Sequence, residues 1–163
     1  MSEADKRPVH LSRGERRSAA RLAAVQGLYQ MDLTGKGILE VLGEFESHWI
    51  GAEIEGDRYK PAERGLFRSI VKGVLEHQIA LDRSADRILA DGWPLHRIEA
   101  LMRAVLRAGA FELAHAADVP VKVVVSEYVD IAASFLDRDE VGMVNAVLDR
   151  LARETRGKEL DAG

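Results

Sequence analysis

From Val121 to Leu136, apolar residues recur at three- and four-residue steps: Val121, Val124, Val125, Tyr128, Val129, Ala132, Phe135 and Leu136. Such spacing keeps one face of a helix apolar for about four turns. The run VKVVV at its start is rich in the β-branched residues that favour strands. A half-buried strand would alternate with period two, however, and this window does not. The spacing predicts a helix.

The same periodicity organises most of the chain. Leu22, Val25, Tyr29 and Leu33 share one face of a helix from Glu15 to Leu33, which Thr34-Gly35 ends. Ile38, Leu42, Phe45 and Trp49 mark a second helix, followed by the polar loop GAEIEGDRYKP with Pro61 at a tolerated first-turn position. Phe67, Ile70, Val71, Val74 and Leu75 mark a third. Gly73 within it costs about 1 kcal/mol relative to alanine, which points to a close helix contact. Leu81 to Leu89 continues helically after a kink near Asp82, and Trp93-Pro94 forces a boundary. Ile98, Leu101, Met102, Val105, Leu106, Gly109 and Leu113 form the next stripe. Asp118-Val119-Pro120 then reopens a helix with a capping candidate and a first-turn proline. Asp137 and Glu140 have the spacing of a capping box ahead of Val141, Val144, Leu148 and Leu151. The tail after Arg153 is polar and expected to fray. The prediction is all-α: about six to seven helices with short connections, in two small helical subdomains sharing a core.

A chain of 163 residues with 47% apolar and 31% charged residues is ordinary for a globular domain. Residues 1–14 read as a flexible basic arm, 15–156 as the helical domain and 157–163 as a polar tail. Charge is uneven. Residues 1–21 carry six bases against three acids, whereas the remainder carries 17 bases and 24 acids. A basic arm on an acidic body points to nucleic acid. No apolar run is long enough to span a membrane and no secretory h-region is present, so the expected location is the cytoplasm. Cysteine is absent, which excludes disulfides, thiolate metal sites and cysteine nucleophiles.

Catalytic chemistry finds little support. His10, His48, His77, His96 and His115 show no i, i+4 pair and no HExxH motif, so neither a metal nor a cofactor is expected. Glu99 and Glu112 stand on one helix but roughly 20 Å apart along it, too far for an acid–base pair. Ser18 and Ser126, near helix starts, lack a local histidine. Asn145, beside Val144 and near Leu148, reads either as a tie to a neighbouring helix end or as a ligand contact. The chain reads as a non-enzyme.

Against that background the stretch RRSAARLAAVQGLYQMD, residues 16–32, stands out. On a helical wheel Arg13, Arg16, Arg17 and Arg21 share one broad face, separate from Leu22, Val25 and Tyr29. Cations at a helix N-terminus oppose the macrodipole by about 0.3–1 kcal/mol each. An anion docking there removes that cost, and arginine adds bidentate reach to phosphate.

This stretch resembles the opening helix of the NusB family of bacterial transcription antitermination factors. FRSIVKGV (67–74), LRAGAFEL (106–113), VPVKVVVSEYVDIAASF (119–135) and MVNAVLDRL (143–151) resemble later family phrases, in order and over nearly the whole chain after the arm. The resemblance implies a NusB-like helical bundle and a non-catalytic role. The protein would pair with NusE, the small-subunit ribosomal protein, and bind single-stranded boxA RNA of ribosomal operons within the RNA polymerase antitermination complex. Carried onto this chain, it implies RNA contacts at Arg13, Arg16, Arg17 and Arg21, completed by Asp137 to Met143, with Asp139 and Met143 foremost. Tyr29 and Met102 match partner-facing positions; Tyr29 reads equally as a core tyrosine. Three positions depart from the family pattern. Met143 replaces an aromatic that could stack on a base, Ala146 replaces a glycine, which would loosen helix packing, and Met102 stands where relatives carry an acid. The alternative is a helical interaction or oligomerisation module with weak or lost boxA binding.

Overall fold

The computed structural model describes residues 12–54, 63–89 and 98–162. The elements are α1 (Arg13–Thr34), α2 (Ile38–Ile54), α3 (Arg64–Ile88), α4 (Ala100–His115), α5 (Val121–Phe135) and α6 (Arg138–Ala162), with no strand among the described residues. Helix α4 is the hub. It packs against α1, α3, α5 and α6, while α2 lies at the edge against α1 and α3. One continuous core runs through both halves, from Ala24, Val25, Phe67 and Ile70 to Leu106, Tyr128 and Leu148.

Local signals explain the ends. Ser12 and Glu15 close a reciprocal capping box at the start of α1. Gly35, at φ 72°, takes the left-handed cap conformation that stops it, donating its N–H to Met31 O. At α6, Glu140 N donates to Asp137 Oδ1 at 2.8 Å and Asp137 N to Glu140 Oε1 at 3.2 Å, so the Asp-headed box also forms. The VKVVV run is helical, burying Val121 and Val124 in register with Tyr128, Ile131 and Ala132.

Small residues set the close approaches. A Cβ on Gly73 would overlap the Phe111 ring, and one on Gly109 would lie 2.8 Å from a Leu148 methyl. Glycine at these sites lets α3 meet α4, and α4 meet α6, at short range.

Four expectations need correction. Helix α3 runs unbroken through Asp82, whose carboxylate instead holds Arg107 in a two-bonded ion pair at 2.8 Å; the helices therefore number six among the described residues. The chain past Arg153 stays helical to Ala162, turning at Arg156 (φ −136°, ψ 35°). There the guanidinium reaches the carbonyls of Glu112, Leu113, Ala116 and Val119, a cation closing the C-terminal end of α4. Ala146 is exposed on α6, so the missing glycine there loosens no helix contact. Asp118 makes no cap: Pro120 is the N-cap of α5, without a side-chain bond. Pro61, Trp93 and Pro94 lie outside the described residues.

Candidate nucleic-acid interface

The first two turns of α1 lie against the turn between α4 and α5, and an open groove of about 250 Å³ separates them. Arg13, Arg17 and Arg21 line one wall. Asp118, Pro120, Val123 and Glu127 line the other. Arg13 is exposed and has no ion-pair partner among the described residues. Arg17 is half-buried and pairs with Glu63 at 3.4 Å. Because Glu63 N also donates to Arg16 O at 3.1 Å, the start of α3 is stitched to α1 twice. Arg16 projects beside that junction, half-exposed and outside the groove wall. The capping box occupies the N–H groups of Ser12 and Glu15. Attraction for an anion therefore rests on the side chains more than on the bare helix end.

Arg21 is a correction. The wheel grouped it with the surface arginines, but it is 1% exposed. Its guanidinium pairs with Glu112 of α4 and Glu127 of α5, and Tyr128 O–H donates to the same Glu112 carboxylate at 2.5 Å. Ser18 O–H adds a 2.5 Å bond to Glu127. Burial alone would lower the Arg21 pKa, but the bond and charge of Glu112 outweigh it and raise the value. Burial, then the Glu112 charge, pushes the Tyr128 pKa well up, so the phenol stays protonated as donor. Arg21 thus fixes the pitch of α1 against α4 and α5, presenting Arg13 and Arg17 without itself reaching solvent.

The second expected segment is not part of this groove. Pro120 and Val123 stand at the start of α5, and Asp137 follows its far end, 15 helical residues on; at about 1.5 Å per residue that is roughly 22 Å. Asp139 is exposed on the first turn of α6, and Met143 is half-buried against the core. Asn145 is exposed rather than tied to a helix end; it borders a second groove between α5 and α6 with Lys122, Ser126 and Asp130.

The expected partner-facing residues divide. Met102 is 3% exposed and belongs to the α4 stripe, so it faces no partner in this fold. Tyr29 is half-buried, and Leu33 one turn on is 59% exposed. Sequence reasoning missed the α4–α5 turn as a wall of the site. The phrase VPVK marked its position, but only the packing of α1 on α5 brings it to the arginines. Among the described residues no group of three His, Asp or Glu could hold a metal, and no helix is long and apolar enough to cross a membrane.

The NusB family model matches residues 18–153. The Transcription antitermination protein NusB of Bradyrhizobium diazoefficiens is 58% identical over 165 residues, covering 100% of both chains. Its namesake from Bradyrhizobium sp. (strain ORS 278) is 63% identical over 148 residues, covering 91% of this chain and 88% of that one. Among solved structures, T. maritima NusB superposes with a TM-score of 0.73 at 24% identity, covering 89% of this chain and 96% of that one. A structure of antitermination factors NusB and NusE in complex with dsRNA gives 0.69 at 23%, covering 84% and 96%. These two likenesses establish the bundle architecture.

Proposed function

Because the chain belongs to the NusB family, and is thus a transcription antitermination factor, we propose that it pairs with NusE and holds boxA RNA of ribosomal operons in the RNA polymerase antitermination complex. Its mechanism is scaffolding: binding energy brings an RNA element and a ribosomal protein together, and no bond is made or broken. It acts in the cytoplasm, where transcription meets both partners.

The observation that carries this reading is the groove between α1 and the α4–α5 turn, with Arg13 and Arg17 on its wall. Guanidinium groups grip phosphate oxygens in pairs of parallel bonds. Arg16 and the exposed Lys122 flank this surface and extend its positive field. Single-stranded RNA suits it better than duplex, because a single strand can splay its bases toward side chains. A strand leaving the groove along α5 would meet Asp139 and Met143 at the start of α6. For NusE, Tyr29 with the exposed Leu33 offers an apolar surface, and it is the one that includes the expected partner-facing tyrosine. The neighbouring structure is of NusB and NusE in complex with dsRNA, which supports NusE and RNA as the classes of partner here.

The test is a titration of boxA-like and scrambled single-stranded RNA against the full chain, with and without NusE, over a salt series. The expected result is binding that prefers boxA and tightens with NusE. With about four phosphates contacted, the log–log salt slope is about −3, from roughly −0.7 per phosphate on single strands. Absence of binding with NusE present would overturn the reading in favour of a helical interaction module.

A further inference from the structure

The groove beside Arg13 contains groups for which phosphate docking has no use. Asp118 projects from the α4–α5 turn into it, exposed, and caps no helix. Its carboxylate has no hydrogen-bond or ion-pair partner among the described residues. On a surface that receives an RNA backbone, a free carboxylate repels the ligand unless it meets a donor. Deeper in, Glu127 receives Ser18 and Arg21 on Oε1, and among the described residues its Oε2 accepts no hydrogen bond. Between the charges lie Pro120 and Val123, an apolar patch with Val123 41% exposed.

A cationic rim, an apolar wall and carboxylate acceptors together match a nucleobase still attached to its phosphate. The volume of about 250 Å³ lies below the drug-sized range of about 300–1,000 Å³ and suits one small ring system. An ionised carboxylate only accepts hydrogen bonds. Uracil offers it a single N–H between two carbonyl oxygens, which repel it. Cytosine and adenine each offer an amino group, and carboxylates are established acceptors for such groups. Guanine offers an N–H and an amino group side by side, matched to the two oxygens of one carboxylate.

We propose that this groove is a base-reading pocket in which Asp118 accepts hydrogen bonds from an amino-bearing base, guanine foremost, of an RNA strand whose backbone rests on Arg13 and Arg17. The inference rests on the RNA-binding reading above and adds to it the class of base selected. Asp118 is then a specificity residue: it contributes discrimination among bases and slightly opposes binding of the wrong ones. Glu127, held by Ser18 and Arg21, forms the back of the pocket.

The experiment compares short oligouridylate with the same strand carrying one central guanosine, inosine or cytidine. Each is titrated by fluorescence anisotropy against the full chain, native and Asp118→Asn, with and without NusE. The native chain is expected to prefer the guanosine strand over oligouridylate by about tenfold or more, with inosine, which lacks the amino group, in between. Asp118→Asn is expected to bring the guanosine preference to within about twofold while oligouridylate binds as well or better. Asp118 is exposed and has no side-chain partner among the described residues, so the variant is expected to keep its fold, checked by circular dichroism. A variant that keeps the native preference, or a native chain that binds all the strands alike, overturns the base pocket and leaves RNA binding standing. A native chain that binds none of them with NusE present overturns both.

Discussion

Arg21 of α1 and Glu112 of α4 form a bidentate ion pair inside the core, Nε 2.7 Å from Oε2 and Nη2 3.1 Å from Oε1. With Tyr128 and Glu127 they close a network that joins α1, α4 and α5, and no buried side-chain nitrogen or oxygen lacks a partner among the described residues. A buried pair contributes little net stability, since desolvation offsets attraction, but removing one partner leaves a charge stranded. Arg21→Met is therefore expected to cost about 3–5 kcal/mol in urea denaturation. Adding Glu112→Gln, which removes the stranded charge and keeps an acceptor for Tyr128, is expected to recover most of that. A single variant within about 0.5 kcal/mol of native, the range of ordinary surface changes, would contradict the buried pairing.

Gly73 of α3 sits under the ring of Phe111 of α4. Alanine there would gain about 1 kcal/mol of helix propensity but must push an aromatic ring away from a helix backbone, at about 1–3 kcal/mol. The collision outweighs the gain, so Gly73→Ala is expected to lower Tm. Combining it with Phe111→Leu, which clears the space, is expected to make the glycine-to-alanine step nearly neutral. The melting temperatures of the two single variants and the double variant measure the coupling directly.

Arg156 closes the end of α4 and holds the turn that leads to α5, through carbonyls at Glu112, Leu113, Ala116 and Val119. Hydrogen bonds to charged groups contribute about 1.5–3 kcal/mol, and this side chain makes several. Arg156→Ala is expected to destabilise the chain by about 2 kcal/mol or more. Amide exchange is expected to rise locally at residues 116–123 before it rises elsewhere. Uniform loss of protection would mean that the arginine serves the whole bundle and not this turn.

Helix identity was legible because apolar spacing is a local property: the stripes of α4, α5 and α6 were readable from it, although Phe135 at the end of the α5 stripe is 51% exposed. Faces were legible only where large side chains define them. On α1 much of the buried face is made by Ala20, Ala23, Ala24 and Gly27, small residues that define a face only weakly. The buried arc is therefore rotated away from the stripe of Leu22, Val25, Tyr29 and Leu33, of which only Val25 is fully buried and Leu33 is exposed, and it takes in Arg21. That arginine is tolerated inside only because Glu112, 91 residues away, meets it. No spacing along one helix reveals such a partner. Asp118 failed for the complementary reason: an Asp before Pro looks like a cap, and only the packing of α1 on α5 gives it a different neighbourhood.

His77 of α3 and His115 of α4 stack with ring centroids 4.0 Å apart, and Phe111 lies beside both. Burial, then the charge of His77, lowers the His115 pKa below 6.5. Glu76 stands 4.0 Å from His77 Nε2. For His115 the unfolded chain binds the proton more readily than the folded one. Its contribution to stability is therefore full above about pH 6.5 and is lost as pH falls through that value to the lower folded pKa. Urea midpoints are expected to fall between about pH 7.5 and pH 5.5, above the range where carboxylates titrate. His115→Gln is expected to flatten that part of the profile, and an unchanged slope would locate the dependence elsewhere.

Arg13 and Arg16 are the α1 arginines without ion-pair partners among the described residues, since Arg17 meets Glu63 and Arg21 is buried. Reversing these two separates an RNA-docking role from a structural one, because neither holds the fold together. Arg13→Glu with Arg16→Glu also places acids in the first turn of α1, where the helix dipole favours them, so stability is expected to hold or rise. RNA affinity is expected to fall for boxA-like and scrambled strands alike, because phosphate contacts carry no sequence information. Each lost contact removes about 0.7 from the log–log salt slope, so the double reversal is expected to flatten it by about 1.4. Loss of affinity with an unchanged slope would mean that the arginines act on RNA indirectly. Unchanged affinity would show that the strand does not pass over the start of α1, and the basic helix end would then be a solvated surface.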